Sequence, residues 1–337
     1  MIENARIVLE VSCRARAGES LLILADDAMR TRVPALCAAA RGIGVVPVVL
    51  DVQEFLSAPA YARGYIHPAL KAAIEAADIV LQNLPDTWVT NRPDYGRLTG
   101  RPDLQDAALT GERRWCILQC RGMEQWKLTR EGVAAIRHRT LDLLCRLGSA
   151  FRGRITSEAG TDLEFGLGAG ATRTPILGII PLYGEVAVVP ELTATCGVLV
   201  VDGPTQLDVR PATEQDRPPL RIEIEAGRVR NLAGGDPAQL ERLRRFIASG
   251  SPAADAVDEV GIVTTSLVEN DLFYWSDGTH HHDCVHVALG NSVRRDAIVH
   301  GPRHMDCEVH RPTLRVDGHT VVQNGRFLDG DDGDADS

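Results

Sequence analysis

The sequence predicts an α/β protein in two parts. An N-terminal domain, residues 1–150, holds a mostly parallel sheet flanked by helices, and a β-rich α+β domain follows over residues 151–328. Three observations lead there. Up to residue 150, short apolar runs alternate with helical patterns, the arrangement that builds parallel sheets covered by helices. From Arg152 the strands become short and glycine-broken, with few helices between them. The length, 337 residues, exceeds one average domain.

In the first part, Ser20 to Asp26 reads as a buried strand and Arg30 to Arg41 as the helix after it. Gly44 to Leu50 reads as a second strand, placed at an edge or interrupted by Pro47, which cannot donate to a ladder. Pro68 to Ala76 has proline at a first helical position and leads into a third strand, Asp78 to Gln82. Arg114 to Gln119 is a fourth, and Arg130 to Leu147 a long closing helix. In the second part the expected strands are Arg154–Thr156, Asp162–Phe165, Glu185–Val189, Val198–Val201 and Leu220–Ile224. Ala226-Gly227 then reads as a hairpin turn into Arg228–Arg230. Pro237 to Ala248 forms one amphipathic helix, with Leu240, Leu243 and Phe246 near one face.

Composition excludes several classes of function. Hydrophobic residues make up 44 % and charged residues 24 %, as in an ordinary globular protein, while aromatics at 4 % leave the core to Leu, Ile, Val and Ala. The formal net charge is −10, and five aspartates crowd residues 329–337, a tail expected to be disordered. An acidic chain without a basic stripe is not built to bind nucleic acid. No glycine-rich phosphate loop follows any predicted strand. The eight cysteines follow no CxxC spacing, so neither a zinc ribbon nor a disulfide framework is indicated. No run reaches the ~18 apolar residues of a membrane span, and no charged segment precedes an apolar one at the start, so a cytoplasmic protein is expected.

Chemistry concentrates near the C-terminus. Eight of the ten histidines lie between His280 and His319. Among them, His304 and Asp306 stand one residue apart in a run that alternates polar and apolar residues through His310. On a strand that spacing puts an imidazole and a carboxylate on one face, within reach of one ion. His286 lies in a mostly apolar stretch that ends at Gly290. Glu185 and Glu259 are each acids at the mouth of an apolar strand, where a buried carboxylate needs a compensating charge such as a divalent cation.

These segments resemble the aminopeptidase T family of metallopeptidases, with its relative 2,5-dihydroxypyridine 5,6-dioxygenase, over most of residues 150–320 and loosely before that. Ala159-Gly160-Thr161-Asp162-Leu163 is similar to the strand that opens the family's C-terminal domain. Gly184-Glu185-Val186, with Gly197 to Gly203 after it, is similar to the segment of the first ligand glutamate. Glu259 before Val260-Gly261 falls at the second, Cys284 to Gly290 resembles the histidine segment, and His304-Met305-Asp306 the HxD. The resemblance implies five metal ligands: Glu185, Glu259, His286, His304 and Asp306. It also implies a homodimer. The peptidases carry a tyrosine where this chain has Asn291 to Arg294, and the dioxygenases a histidine where it has Glu259.

A carboxylate-rich set of this kind suits zinc, manganese or cobalt, as one ion or two. The expected function is a metal-dependent hydrolase in which metal-bound hydroxide cleaves a C–N bond of a small amide, peptide or aromatic amine. With one ion bound, Glu185 or Glu259 would be left free as general base, and His282, Tyr274 and Arg303 would contact substrate. The alternative is a non-haem Fe(II) dioxygenase that opens a hydroxylated pyridine or related ring.

Overall fold

The computed structural model describes residues 1–27, 29–54, 67–82, 114–118, 128–177, 183–203, 218–248, 254–265, 285–290 and 304–328. It is a mixed α/β protein with few helices, and the described strands form three sheets. The chain divides into two compact units. One is built chiefly on Met1–Arg137, the other on His138–Pro175 and the described residues from Glu185 onward.

In the first unit four strands pair in the order β2-β1-β3-β4, every pairing parallel. They are β1 (Ser20–Ala25), β2 (Val46–Asp51), β3 (Ile79–Gln82) and β4 (Arg114–Ile117). Helix α2 (Val33–Gly42) joins β1 to β2, and α3 (Pro68–Ala76) precedes β3, with His67 Nδ1 accepting from the Ala69 N–H at 3.2 Å. β1 and β3 are apolar because they are buried. β2 lies at an edge, where Pro47 costs no ladder bond and Val46, Val48 and Val49 are exposed. The sequence reading did not mark α1 (Ile2–Ile7). It runs straight into a π-helical turn over Val8–Ser12, and that extra residue per turn breaks the apolar period.

Ser20 and Asp78 tie the starts of β1 and β3 together. The Ser20 N–H and Oγ–H both donate to Asp78 Oδ2 at 2.8 Å. Those two bonds, first the backbone and then the hydroxyl, hold the Asp78 carboxyl below its ordinary range, with Arg114 adding to the effect. A depressed carboxyl stabilises the fold above its unfolded pKa and loses that stabilisation as pH falls through the folded value. Asp78→Ala is therefore expected to lower the denaturation midpoint at pH 7. The difference from wild type should close toward pH 3, below the unfolded Asp pKa of about 3.9; a difference equal at both pH values would refute the assignment.

The second unit holds two sheets. The larger has eight strands: β5 (Arg152–Thr156), β6 (Asp162–Gly166), β9 (Glu191–Val201), β10 (Leu220–Glu225), β11 (Arg228–Gly234), β15 (Thr313–Val316), β16 (His319–Gln323) and β17 (Arg326–Phe327). The β10–β11 hairpin turns at Ala226 and Gly227, both at positive φ, as its tight turn requires. Thr161 bridges β6 to β9, its Oγ1 donating to Val200 O at 3.2 Å and accepting from Val200 N at 3.0 Å. Asp162 beside it takes two 2.7 Å bonds from Arg154. The Gly-Thr-Asp segment is thus accounted for by sheet structure. Helix α5 (Pro237–Ile247) is capped by Asp236, which accepts from the N–H groups of Ala238 and Gln239, and it buries Leu243 and Phe246.

The smaller sheet has the order β14-β13-β12-β8-β7, with β7 (Thr172–Leu177), β8 (Gly184–Val189), β12 (Val257–Val263), β13 (Val285–Gly290) and β14 (His304–Glu308). Helix α4 (Arg130–Gly148) holds the end of β12: Arg139 Nε donates to Thr264 O at 2.8 Å, and the Thr140 and Thr264 hydroxyls lie 2.6 Å apart. The end of β14 is fixed to the loop after β9. Asp202 Oδ1 accepts from the His310 N–H at 2.8 Å, and Gly203 N–H donates to Glu308 O at 3.3 Å. Among the described residues no helix is long and apolar enough to cross a membrane.

Candidate metal centre

The register of the smaller sheet explains how residues distant in sequence meet. Opposed residues of antiparallel strands project from the same face, and each strand returns to that face every second residue. One row across the sheet is Glu259–Ala288–Asp306. The next is Ala187–Gly261–His286–Glu308, and the one after begins Glu185–Val263. One face therefore gathers the acids and the imidazole around alanine and glycine. The other face carries Val186, Val188, Val260, Ile262, Val285, Val287, Leu289, Met305 and Cys307, none more than 3 % exposed. Period-two alternation in four strands builds both the apolar support and the polar surface above it.

Gly261 is the hinge of this geometry. It lies on β12 between β8 and β13, and the absence of a side chain lets Glu185 and His286 meet above it. A Cβ at this position would overlap the His286 ring and stand 2.6 Å from Glu185 Oε1. His286 Nε2 lies 3.7 Å from Glu185 Oε1 and 3.9 Å from Asp306 Oδ1. Ligand atoms of Glu185, Glu259 and His286 all fall within 4.8 Å of one another, and the three residues are 3 %, 4 % and 2 % exposed. Ligands bonded at about 2.0–2.2 Å stand roughly 3–3.5 Å apart around one ion. The 3.7 and 3.9 Å distances exceed hydrogen bonds and come within a few tenths of an ångström of that spacing, so the donor set fits a divalent cation. Two or more carboxylates gathered out of water also call for a positive charge.

The fold is shared with two solved enzymes. The 2,5-dihydroxypyridine dioxygenase from Pseudomonas putida KT2440 superimposes with a TM-score of 0.65 at 18 % identity, over 97 % of this chain and 96 % of that one. AmpT from Thermus thermophilus gives 0.63 at 14 % identity, over 97 % and 98 %. No family model matches the sequence, and no curated protein does. At these identities the likeness is one of fold. It extends over nearly the whole chain, where the sequence reading placed most of its resemblance within residues 150–320.

Of the residues singled out from sequence, Glu185, Glu259 and His286 converge, and Asp306 adjoins them. His304 occupies β14 two positions before Asp306, paired with Gly290. His282, Tyr274 and Arg303 lie outside the described residues. Glu308 was passed over, yet it is 4 % exposed and paired directly with His286. The signal for it was available, since His304, Asp306 and Glu308 are successive members of one alternation.

Proposed function

We propose that this chain is a metal-dependent hydrolase that cleaves a C–N bond of a small amide, peptide or aromatic amine. The observation that carries the proposal is the buried convergence of Glu185, Glu259 and His286 within 4.8 Å. Asp306 and His304 complete the proposed ligand set, and zinc, manganese or cobalt, as one ion or two, suits its carboxylate-rich donors. When bound, such an ion would acidify water and polarise the bond under attack.

The chain's own groups supply the rest. A carboxylate of Glu185 or Glu259 accepts the proton of the attacking water and returns it to the departing nitrogen, a transfer that needs hydrogen-bond reach and shelter from bulk water. Burial of both acids provides that shelter. His282, Tyr274 and Arg303 are proposed to contact substrate, with the Arg303 guanidinium suited to a substrate carboxylate. The active form is proposed to be a cytoplasmic homodimer, for which light scattering should return twice the 36.5 kDa chain mass. A monomer at working concentration would contradict it.

The fold shared with the dioxygenase favours a second reading, ring opening at Fe(II). Oxygen activation at iron generally uses two neutral imidazoles and one carboxylate. Glu185 and Glu259 add negative charge that suits a Lewis-acid role better. The test is turnover of a panel of amides and aromatic amines without oxygen, in heavy-oxygen water. The product is expected to form anaerobically with its new oxygen drawn from water. No turnover without oxygen, with label entering the product from heavy molecular oxygen in a parallel aerobic run, would replace the hydrolase by the dioxygenase.

A further inference from the structure

The carboxyl edge of the parallel sheet carries polar groups for which the proposed metal chemistry has no use. Gln82, the last residue of β3, is fully buried, and among the described residues neither its Nε2 nor its Oε1 has a hydrogen-bond partner. A buried amide in that state opposes folding, so its retention requires a reason. Arg32 is 9 % exposed, and among the described residues its side chain makes one hydrogen bond, a 3.4 Å contact from Nη1 to Leu118 O, and no ion pair. A guanidinium has five N–H donors, so most of its capacity is unused.

Topology brings these groups together. Gln82 pairs with Leu24 on one side, and Asp26, itself 9 % exposed, follows two residues on, just past the end of β1, with its Oδ1 accepting from the Met29 N–H at 2.8 Å. On the other side the Leu118 N–H donates to Gln82 O at 2.6 Å. Arg32 leaves the segment after β1 and bonds the residue after β4, so its side chain spans the end of β3. From β1 the sheet proceeds to β2 in one direction and to β3 in the other. That reversal is where open α/β sheets bind their ligands.

We infer that this edge binds a free α-amino acid. Its carboxylate is held by the Arg32 guanidinium and by Gln82 Nε2, and its ammonium faces Gln82 Oε1 and the Asp26 carboxylate. The ligand then uses both ends of the amide. Phosphate fits less well, because it has no donor for Gln82 Oε1, Asp26 repels it and no glycine-rich loop is present to cradle it.

Calorimetric titration of the full chain with L-alanine, L-leucine, L-glutamate and L-lysine tests the site. At least one should bind saturably, one per chain, and its hydroxy-acid or deaminated analogue about tenfold or more weaker. Gln82→Leu should weaken binding by about tenfold or more while leaving the ligand-free thermal midpoint unchanged or raised, because a group without partners is removed. Arg32→Met should abolish binding with the circular dichroism spectrum retained, and Arg32→Lys should restore part of it. An amino acid could also enter the proposed metal centre as a product; binding unchanged in Glu185→Gln places it at the sheet edge, and binding lost there overturns the inference. So would no saturable heat with any of the four, phosphate binding more tightly than all of them, or full affinity in Gln82→Leu.

Discussion

Gly261→Ala is expected to cost the chain its metal and its activity together. Among the described residues Gly261 does not have a positive φ, so alanine meets no backbone obstacle; the conflict lies above the sheet. The new methyl would fall within the His286 ring and 2.6 Å from Glu185 Oε1, so at least one of the two side chains must leave. Both are buried, so whichever side chain gives way must leave the position from which it would reach the ion. Even a change outside the ligand shell can cost 10- to 100-fold in metal affinity, so occlusion of the shell should cost at least about 100-fold. Metal content by plasma mass spectrometry after dialysis should fall to background, while far-ultraviolet circular dichroism stays close to wild type. A Gly261→Ala protein that keeps its metal would show that Glu185 and His286 do not share an ion.

The same glycine shows how far the sequence could be read. Strand identity was legible wherever a single physical signal dominated: β1 and β3 as buried apolar runs, α3 from its initial proline, the β10–β11 turn from Ala226-Gly227, and β14 from its polar alternation. Glu185, Glu259 and His286, which the structure brings together, had been singled out too, because a charge at the mouth of an apolar strand needs a partner. Less legible was why they meet. That depends on cross-strand register, which sets Gly261 between Ala187 and His286, and register is a property of pairing between segments far apart in the chain. Glu308 was overlooked for a related reason. Its role as the partner opposite His286 emerges only once β13 and β14 are paired.

In the N-terminal part, β1 to β4, α2 and α3 were read as such, while α1 and the polar details were not. Asp78 and Ser20 are fifty-eight positions apart, and nothing local to either announces the bonds between them. Gln82 read as the last residue of a strand, a position where an amide is ordinarily solvated. Its full burial came only from the structure.

Removing the metal is expected to destabilise the protein, and removing the charges that hold it is expected to reverse that loss. A cation that binds the folded chain alone adds stability of RT ln(1 + [L]/Kd), about 2.7 kcal/mol at a hundredfold excess over Kd. For a chain of this size each kcal/mol moves the thermal midpoint by roughly 1–2 °C, so a chelator should lower it by about 3–5 °C. The reason lies in the site. Without an ion, the carboxylates of Glu185 and Glu259, 3 % and 4 % exposed, lie within 4.8 Å of each other in a poorly solvated space where two negative charges would repel. Glu185→Gln combined with Glu259→Gln keeps the shape of both side chains and deletes that repulsion. The double variant should be at least as stable as chelated wild type and indifferent to added metal. Calorimetric scans of both proteins, with and without chelator, make the comparison. If the wild-type midpoint ignores the chelator, or the double variant still rises with metal as wild type does, these two glutamates are not the ligands.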